Sequence, residues 1–561
     1  MVYETVNACI RLLASVDLCH IVIIEHIAEA NGALHPVQKA MVDLHASQCG
    51  FCTPGIVMSL YALWQTGNNV SDADIDTALQ GNLCRCTGYR PIIAAAIAAK
   101  GQSATLIDQD AEHARLDAMD DGRRVEVVAD ENRAILPADL DDLSDVLATL
   151  PEATIVAGST DVGLWITKFM RPISPAVFIA HLADLKAIAA EADELTIGAG
   201  VTYSEAADAI ANISPSLARF WNRIGGPQVR NMGTIGGNIA NGSPIGDTPP
   251  LLIALGEEIS LRQGRATRRI KLQDFFVQYG EQDRAPGDVL THIHIPRPDP
   301  MAVIASHKIS KRRDEDISSV CGAILVRLDQ GVVADIHIAY GGMAATPKRA
   351  AGVERALIGQ AWTTETNDAA MLELANDFKP LTDWRASADH RLKVAANLFA
   401  AVAAIAARRF GRAVKLRPDR DDDMIATGKR HDFPANYDVG FDADGRILAV
   451  NAELAARCGF SSDLSGPVTD RALFHADNAH FFPHVQLRSR PLKTNTASNT
   501  AYRGFGGAQG VVAGRSGTPA HPCPFNLQNP AGLGYSARFQ HRACQLEPEC
   551  APDDQAFQSR G

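Results

Sequence analysis

The sequence predicts a multidomain α+β protein, and three observations carry that prediction. The chain has 561 residues, too many for one ordinary hydrophobic core, so several domains are expected. Four cysteines near the start, Cys49, Cys52, Cys84 and Cys86, lie at the ends of segments with helical periodicity. From about residue 123 the pattern changes to strands alternating with helices, joined by glycine-rich turns.

Composition narrows the class. With 46% hydrophobic and 21% charged residues the chain reads as globular. A formal net charge of -12 argues against a basic nucleic-acid-binding face. No apolar run approaches the roughly 18 residues of a membrane helix. The opening MVYETVNACIRLLASVDLCH lacks the basic leader and apolar core of a signal peptide. A cytoplasmic protein with reduced thiols is therefore expected. Its eleven cysteines are clustered, which favours metal or redox chemistry over structural disulfides.

The four clustered cysteines come first. Cys49 and Cys52 are spaced C-x2-C; Cys84 and Cys86 are spaced C-x-C, after a gap of 31 residues. A structural zinc site more often pairs two C-x2-C knuckles. A binuclear iron–sulfur cluster needs four thiolates, two for each iron. Zinc, or four buried free thiols, are the alternatives. CTPGIVMSLYALW reads as a helix start with Pro54 in its first turn. SDADIDTALQGN reads as a capped helix ending near Gly81, and TGYRPIIAAAIAAK opens another. Both cysteine pairs thus sit at helix ends, where free N–H groups stabilise charged sulfur.

Residues 101–122 are polar and read as a linker. ATIVAGSTDVGLW then reads as a strand running into a small polar turn, ELTIGAGVTYSE as a strand and turn, and RNMGTIGGNIANGSPIGDTPPLLIALG as a glycine-rich loop entering a helix. No G-x-G-x-x-G joins a strand to a helix, so this is no Rossmann fingerprint. Glycine turns alone are weak signals. Two loops that set Ser, Thr, Asn or Asp beside glycine suit a diphosphate, because backbone N–H groups can approach it closely.

These stretches resemble a known family. QCGFCTPG and NLCRCTGYRPI together resemble the second [2Fe–2S] domain of the molybdenum hydroxylases, the xanthine dehydrogenase and aldehyde oxidase family. The resemblance implies that Cys49, Cys52, Cys84 and Cys86 ligate one [2Fe–2S] cluster. VNACIRLL resembles the segment carrying the last ligand of a preceding ferredoxin domain, which would be Cys9. Three further ligands in a C-x4-C-x2-C arrangement are absent from the chain, so a single cluster is expected. Cys9 and Cys19 are read as buried small hydrophobes.

TIVAGSTDVG and TIGGNIANGSPIGD resemble the two FAD loops of the same family. The resemblance implicates Thr154, Ile155, Val156, Ala157, Gly158, Ser159, Thr160 and Asp161 in the first loop. It implicates Thr234, Ile235, Gly236, Gly237, Asn238 and Asp247 in the second, with Ile224 as an apolar flavin contact. Asp161 is one methylene shorter than the glutamate of some relatives. HKISKRRDEDISSVCGAILVRL resembles the opening helix region of a small domain that closes over the flavin. IAYGGMAATPKRA resembles that domain's later strand and turn, with Lys348 as a flavin contact. Most charges of KRRDED read as a solvated face.

RASADHRLKVAANLF resembles the end of a bacterial small subunit. The residues beyond it, to about Gly510, resemble an internal piece of the molybdopterin-binding large subunit, with the join near residues 398–402. TDRALFHADN carries Arg471, matching an arginine that orients purine substrates. NTAYRGFGGAQG carries Arg503 and Phe505, the latter matching a phenylalanine that packs on the purine ring. The large subunit's G-G-x-F-G-G-K-E segment and catalytic glutamate are not in the chain, so these three residues are read as relics of a substrate site, and no catalytic residue is assigned.

The expected organisation is a helical [2Fe–2S]-binding domain (1–108), a linker (109–122), a two-part α+β FAD-binding domain (123–300), a small flavoprotein C-terminal domain (301–398), an α/β molybdopterin-subunit fragment (399–510) and a disordered tail (511–561). The resemblance implies an electron-transfer component. FAD and one [2Fe–2S] cluster would pass electrons from purine hydroxylation, on a partner large subunit holding molybdopterin, to NAD. One alternative is a truncated fusion product that binds the cofactors without physiological catalysis, protease-sensitive after residue 400. Another is the flavoprotein subunit of a related aldehyde or carbon monoxide dehydrogenase.

Overall fold

The computed structural model describes residues 3–400, 431–499 and 535–542 together with Gly507 and Gly510, apart from short breaks at 30, 68–69, 103, 105–106, 313, 445, 460–463, 478–480, 495 and 497. The chain divides into two compact units, Met1–Lys415 and Leu416–Gly561.

The first unit opens with four short helices, Pro36–Asp43, Thr53–Gln65, Asp72–Ala78 and Arg90–Ala99. Their apolar faces meet in one core in which Ile56 and Ile92 are fully buried. The helix ends follow local chemistry. Pro54 and Pro91 occupy first turns. Ser71 and Asp74 form a reciprocal capping box ahead of Asp72–Ala78. The linker contains a helix, Gln109–Asp117. Asp108 caps it by accepting from the Ala111 N–H at 3.0 Å, and acidic residues fill its first turn. It buries no residue, which is why apolar periodicity gave no sign of it.

The next segment holds two sheets. The first orders its strands Val125–Ala129, Asn132–Leu136, Ala176–Phe178, Thr154–Val156, with an antiparallel first pair and parallel pairing beyond. The second is antiparallel, with Ile188–Ala190, Glu194–Gly198, Val289–Pro296, Glu258–Gln263 and Ala266–Lys271 in that order. Helix Thr248–Leu255 is buried on every side, as its uniformly apolar run requires.

The C-terminal part of this unit is an antiparallel sheet of Val303–Ile309, Val320–Asp329, Val332–Gly341 and Lys348–Arg349, covered by helices that include Ala351–Leu357 and Ala388–Ala400. This corrects the expected opening helix region of HKISKRRDEDISSVCGAILVRL. Both flanks of that stretch are strands, paired from Val303↔Val326 to Ile309↔Val320. The β-branched residues there pack on a pleated face, and the charged KRRDED becomes the connection.

The second unit is a sheet ordered His484–Lys493, Ile447–Gly459, Pro434–Phe441, Tyr535–Arg542, with helix Ser465–Phe474 packed on it. Its core is small, centred on Phe433, Leu454, Ala456 and Ala472. Phe474 and Phe481 are exposed. Residues 401 and 402 of the join at 398–402 lie outside the described residues, and so does the tail apart from the strand Tyr535–Arg542.

Candidate functional site

The cysteine site forms where two loops meet. Cys52 is the residue before helix Thr53–Gln65, and Cys84 and Cys86 lie on the turn that leads into Arg90–Ala99. The four thiols form two pairs. Cys86 Sγ–H donates to Cys49 Sγ at 3.4 Å. Cys52 interacts electrostatically with Cys84. The C-x-C turn is held by Tyr89, which sits in the left-handed region at φ 69°. Its hydroxyl accepts from the Cys84 N–H at 2.8 Å and donates to the Asn82 carbonyl at 3.1 Å.

The electrostatics differ within each pair. The Phe51 N–H, with the bond from Cys86, holds the Cys49 thiol below the ordinary range. That same bond, then burial, pushes Cys86 up. Burial pushes Cys84 up, but the Thr87 hydroxyl and nearby N–H groups outweigh it, so its thiol is lowered overall. Cys52 is pushed up to about 11, by burial first and then by Cys84. Each pair therefore combines a thiol whose pKa is lowered with one whose pKa is raised. Metal binding would displace the remaining protons. Four thiols are the number a binuclear cluster needs, two per iron, but among the described residues no group of three or more potential ligands is gathered closely enough to hold a metal ion.

Cys9 and Cys19 are both exposed, correcting the expectation of buried hydrophobes. The segment around them is turns and a short 3-10 helix, Leu13–Val16, with little apolar face to bury them. It lies on the first glycine loop instead. Ser159 Oγ donates to the Ile10 carbonyl at 3.1 Å, and Asn231 Nδ2 donates to the Thr5 carbonyl at 2.9 Å.

The two glycine loops come together although far apart in sequence. Strand Thr154–Val156 delivers Ala157–Asp161 to a point where Gly158 abuts the segment before Thr234. A Cβ on Gly158 would overlap the Met232 carbonyl and come within 3.0 Å of Gly233 Cα. Ser159 takes φ 55°. Asp161 accepts from the Trp165 indole at 3.1 Å, and Thr160 sits half-buried between them. Val156 and Ile235 are core residues and contribute only backbone to the loops, whereas Thr154 and Ile155 are half-buried.

In the second loop the Thr234 hydroxyl accepts from the Gly237 N–H at 3.0 Å. Gly236 packs on Ala199, so neither glycine position has room for a side chain. Asn238 Oδ1 is buried with no hydrogen-bond partner. An orphaned acceptor beside a cradle of glycines fits a nucleotide with hydroxyl and amine donors. Ile224 is buried just ahead of Gly225, which takes φ 65°. Asp247 is nearly buried and pairs with Lys308 at 2.6 Å.

Lys348 is not gathered into this group. Its Nζ donates to the Asp377 carbonyl at 3.0 Å and lies 5.8 Å from the Phe378 ring centroid. In the second unit Arg471 is on helix Ser465–Phe474, its carbonyl bonded to His475 Nδ1 at 3.0 Å. Arg503 and Phe505 lie outside the described residues. Sequence reasoning missed Gln228, Lys308 and Ser318; no local spacing marks them.

Comparison with known proteins bears on each segment. Residues 23–97 match the [2Fe-2S] binding domain family, and residues 130–298 the FAD binding domain in molybdopterin dehydrogenase. Residues 305–405 match the CO dehydrogenase flavoprotein C-terminal domain, and 392–515 the molybdopterin cofactor-binding domain. The chain thus carries, in order, matches to a [2Fe-2S] binding domain, an FAD binding domain, a flavoprotein C-terminal domain and a molybdopterin cofactor-binding domain. Its relatives include the xanthine dehydrogenase of Drosophila subobscura, 30% identical over 63% of this chain and 31% of the relative. Xanthine dehydrogenase 2 of Arabidopsis thaliana is 30% identical over 64% of this chain and 32% of the relative. The chain therefore spans about one third of the length of these curated relatives. A carbon monoxide dehydrogenase chain from Hydrogenophaga pseudoflava aligns at a TM-score of 0.46 and 27% identity, over 49% of this chain and 96% of that one.

Proposed function

We propose that this chain is the FAD and [2Fe–2S] electron-transfer component of an oxidoreductase of xanthine dehydrogenase type. It would act in the cytoplasm, taking electrons from purine hydroxylation at a molybdopterin-bearing partner subunit and passing them to NAD. The observation that carries the reading is the docking of the cysteine domain on the segment that connects Ile224 to Thr234. Gln228, within that segment, bonds to Ser59 and Asn82 of the cysteine domain at 3.0 and 3.2 Å.

When bound, FAD supplies hydride chemistry with a nicotinamide and the cluster supplies one-electron transfer. The chain's residues do the holding. Cys49, Cys52, Cys84 and Cys86 would ligate the irons as thiolates. Ala157–Asp161 and Thr234–Asn238 would offer backbone N–H and hydroxyl donors to the diphosphate. Asn238 Oδ1 would accept a donor from the nucleotide. Ile224 would form an apolar wall that keeps water from the ring. Arg230, buried within this segment, donates to the Asn222 carbonyl at 2.8 Å and to Gln80 of the cysteine domain at 3.3 Å, which holds the two domains in register.

Anaerobic purification with iron, FAD and molybdenum quantified per chain tests the reading. About two irons and one FAD, no molybdenum, and bleaching by NADH are expected. A chain with neither iron nor flavin would end it. Two other readings have their own support. The match of residues 305–405 to the CO dehydrogenase flavoprotein C-terminal domain supports a flavoprotein subunit of a carbon monoxide or aldehyde dehydrogenase. The overlap of the flavoprotein and molybdopterin-domain matches at 392–405 supports a fusion product that binds cofactors without turnover.

A further inference from the structure

We propose that Cys49 and Cys86 form a reversible disulfide that closes the cysteine site to iron and reopens it on reduction. Control of iron entry rests on the cluster reading above; the disulfide itself does not.

Cys86 Sγ lies 3.4 Å from Cys49 Sγ, across 37 residues of sequence. The contact is a pair, because among the described residues no three potential ligands are gathered for one metal ion. A disulfide bond is about 2.0 Å long, so the two sulfurs need to approach by roughly 1.4 Å. Their surroundings allow it. Both residues lie outside helices and strands. Cys49 is followed by Gly50, which takes φ 81° and has open space where a side chain would be.

The other two cysteines are fixed. Cys52 precedes helix Thr53–Gln65, and its carbonyl accepts from the Ile56 N–H at 3.0 Å. The Cys84 N–H is held by the Tyr89 hydroxyl at 2.8 Å, and Cys84 Sγ is bonded to the Thr87 hydroxyl at 3.1 Å. Access separates the four in the same sense. Cys49 is exposed, Cys52 and Cys86 are half-buried, and Cys84 is buried. Cys49 is therefore the thiol that a reagent reaches first.

The oxidant is a small-molecule disulfide such as oxidised glutathione. Cys49, as its thiolate, attacks one sulfur of the reagent. The reagent's S–S bond breaks, a mixed disulfide forms and one reagent thiol leaves. Cys86, as its thiolate, then attacks Cys49 Sγ and expels the second reagent thiol. The protein thiols lose two electrons and two protons, and the reagent takes up both as it becomes two thiols. Excess thiol runs the sequence backwards. With Cys49 and Cys86 joined, two of the four thiolates that a binuclear cluster needs are gone.

Local spacing favours a different product, since Cys49 and Cys52 have the C-x2-C spacing of many redox disulfides. Partner choice is thus the test. The full chain is stripped of iron by a chelator under reducing, anaerobic conditions and treated with oxidised glutathione. Its remaining thiols are alkylated and its peptides mapped by mass spectrometry. Most of Cys49 is expected in a peptide linked to Cys86. Recovery of Cys49 mainly unmodified, or linked to Cys52, would overturn the proposal. Cys86→Ser is expected to stop at the glutathione adduct on Cys49; if that variant does not fold, the wild-type map decides.

A second arm supplies ferrous iron and sulfide anaerobically and measures the iron bound. The reduced chain should take up about two irons, the oxidised chain at least about tenfold less, and dithiothreitol should restore uptake. Equal uptake by the two forms would overturn the gating. A reduced chain that takes up no iron, while the Cys49–Cys86 peptide forms, would overturn the cluster reading and the gating with it and leave the disulfide standing.

Discussion

The side-chain amide of Gln228 donates to the Ser59 hydroxyl at 3.0 Å, across the boundary between the cysteine domain and the flavin-binding domain. Ser59 in turn donates to Asn82 Oδ1 at 2.7 Å, two residues before the C-x-C pair. The contact closes only because Gly81 has no side chain: a Cβ there would overlap Gln228 Oε1. Gly81→Ala should displace the amide, forfeit its bonds and lower stability by about 1–2 kcal/mol. It should also slow reduction of the cluster by NADH while leaving iron and FAD content unchanged. Stopped-flow absorbance would check this, and wild-type cluster reduction would show that the junction has no part in the relay.

Gly158 faces backbone, not a side chain that could turn away. Gly158→Ala would press a methyl group into the Met232 carbonyl. Overpacking against a fixed group costs about 1–3 kcal/mol. The expected outcome is a chain that keeps its iron but purifies with less than half its FAD. Full flavin occupancy would remove Gly158 from the site.

Cys84→Ser should lose most of the cluster, because serine does not replace the lowered thiol in its turn. Iron should fall well below the expected value of about two per chain. Cys9→Ser should leave iron unchanged, since one cluster is expected and Cys9 has no ligand role in it. A fall in iron in the Cys9 variant would mean a second iron site.

Glu257 carries a pH dependence. Burial raises its pKa well above the ordinary carboxylate value, and both its oxygens lack hydrogen-bond partners. The folded state keeps the proton that the unfolded state releases above its ordinary pKa. This contribution to stability is therefore full below about pH 4.3 and declines by about 1.4 kcal/mol per pH unit until the folded pKa is reached. Glu257→Met removes that slope. The variant should gain thermal stability over the wild type at pH 8, and less of it at pH 5, in parallel melts. An equal difference at both values would mean that Glu257 does not titrate this way.

Much of the local structure was legible in the sequence. Pro54 in a first turn and the capped run SDADIDTALQGN place two helices. Alternating apolar residues place Glu194–Gly198 as a strand. The errors have physical causes. Gln109–Asp117 is held by its cap and charges and buries nothing, so hydrophobic period could not find it. Val303–Ile309 pairs with Val320–Asp329 and is a strand because of that neighbour, whereas the resemblance had implied a helical opening. Cys9 and Cys19 are small enough to be buried but lie on a segment with little apolar face of its own.

By itself the sequence determined the order of the domains, the cysteine spacing and the two glycine loops. Each is a short-range pattern, set by covalent spacing and by which residues tolerate a given backbone. Only the tertiary structure decided that Gly158 would meet Met232, that Gln228 would bridge to Ser59, and that Lys308 would neutralise Asp247. Those pairs lie tens of residues apart or more. They are chosen by close packing and by the need of each buried polar group for a partner, conditions that exist only once the chain has folded.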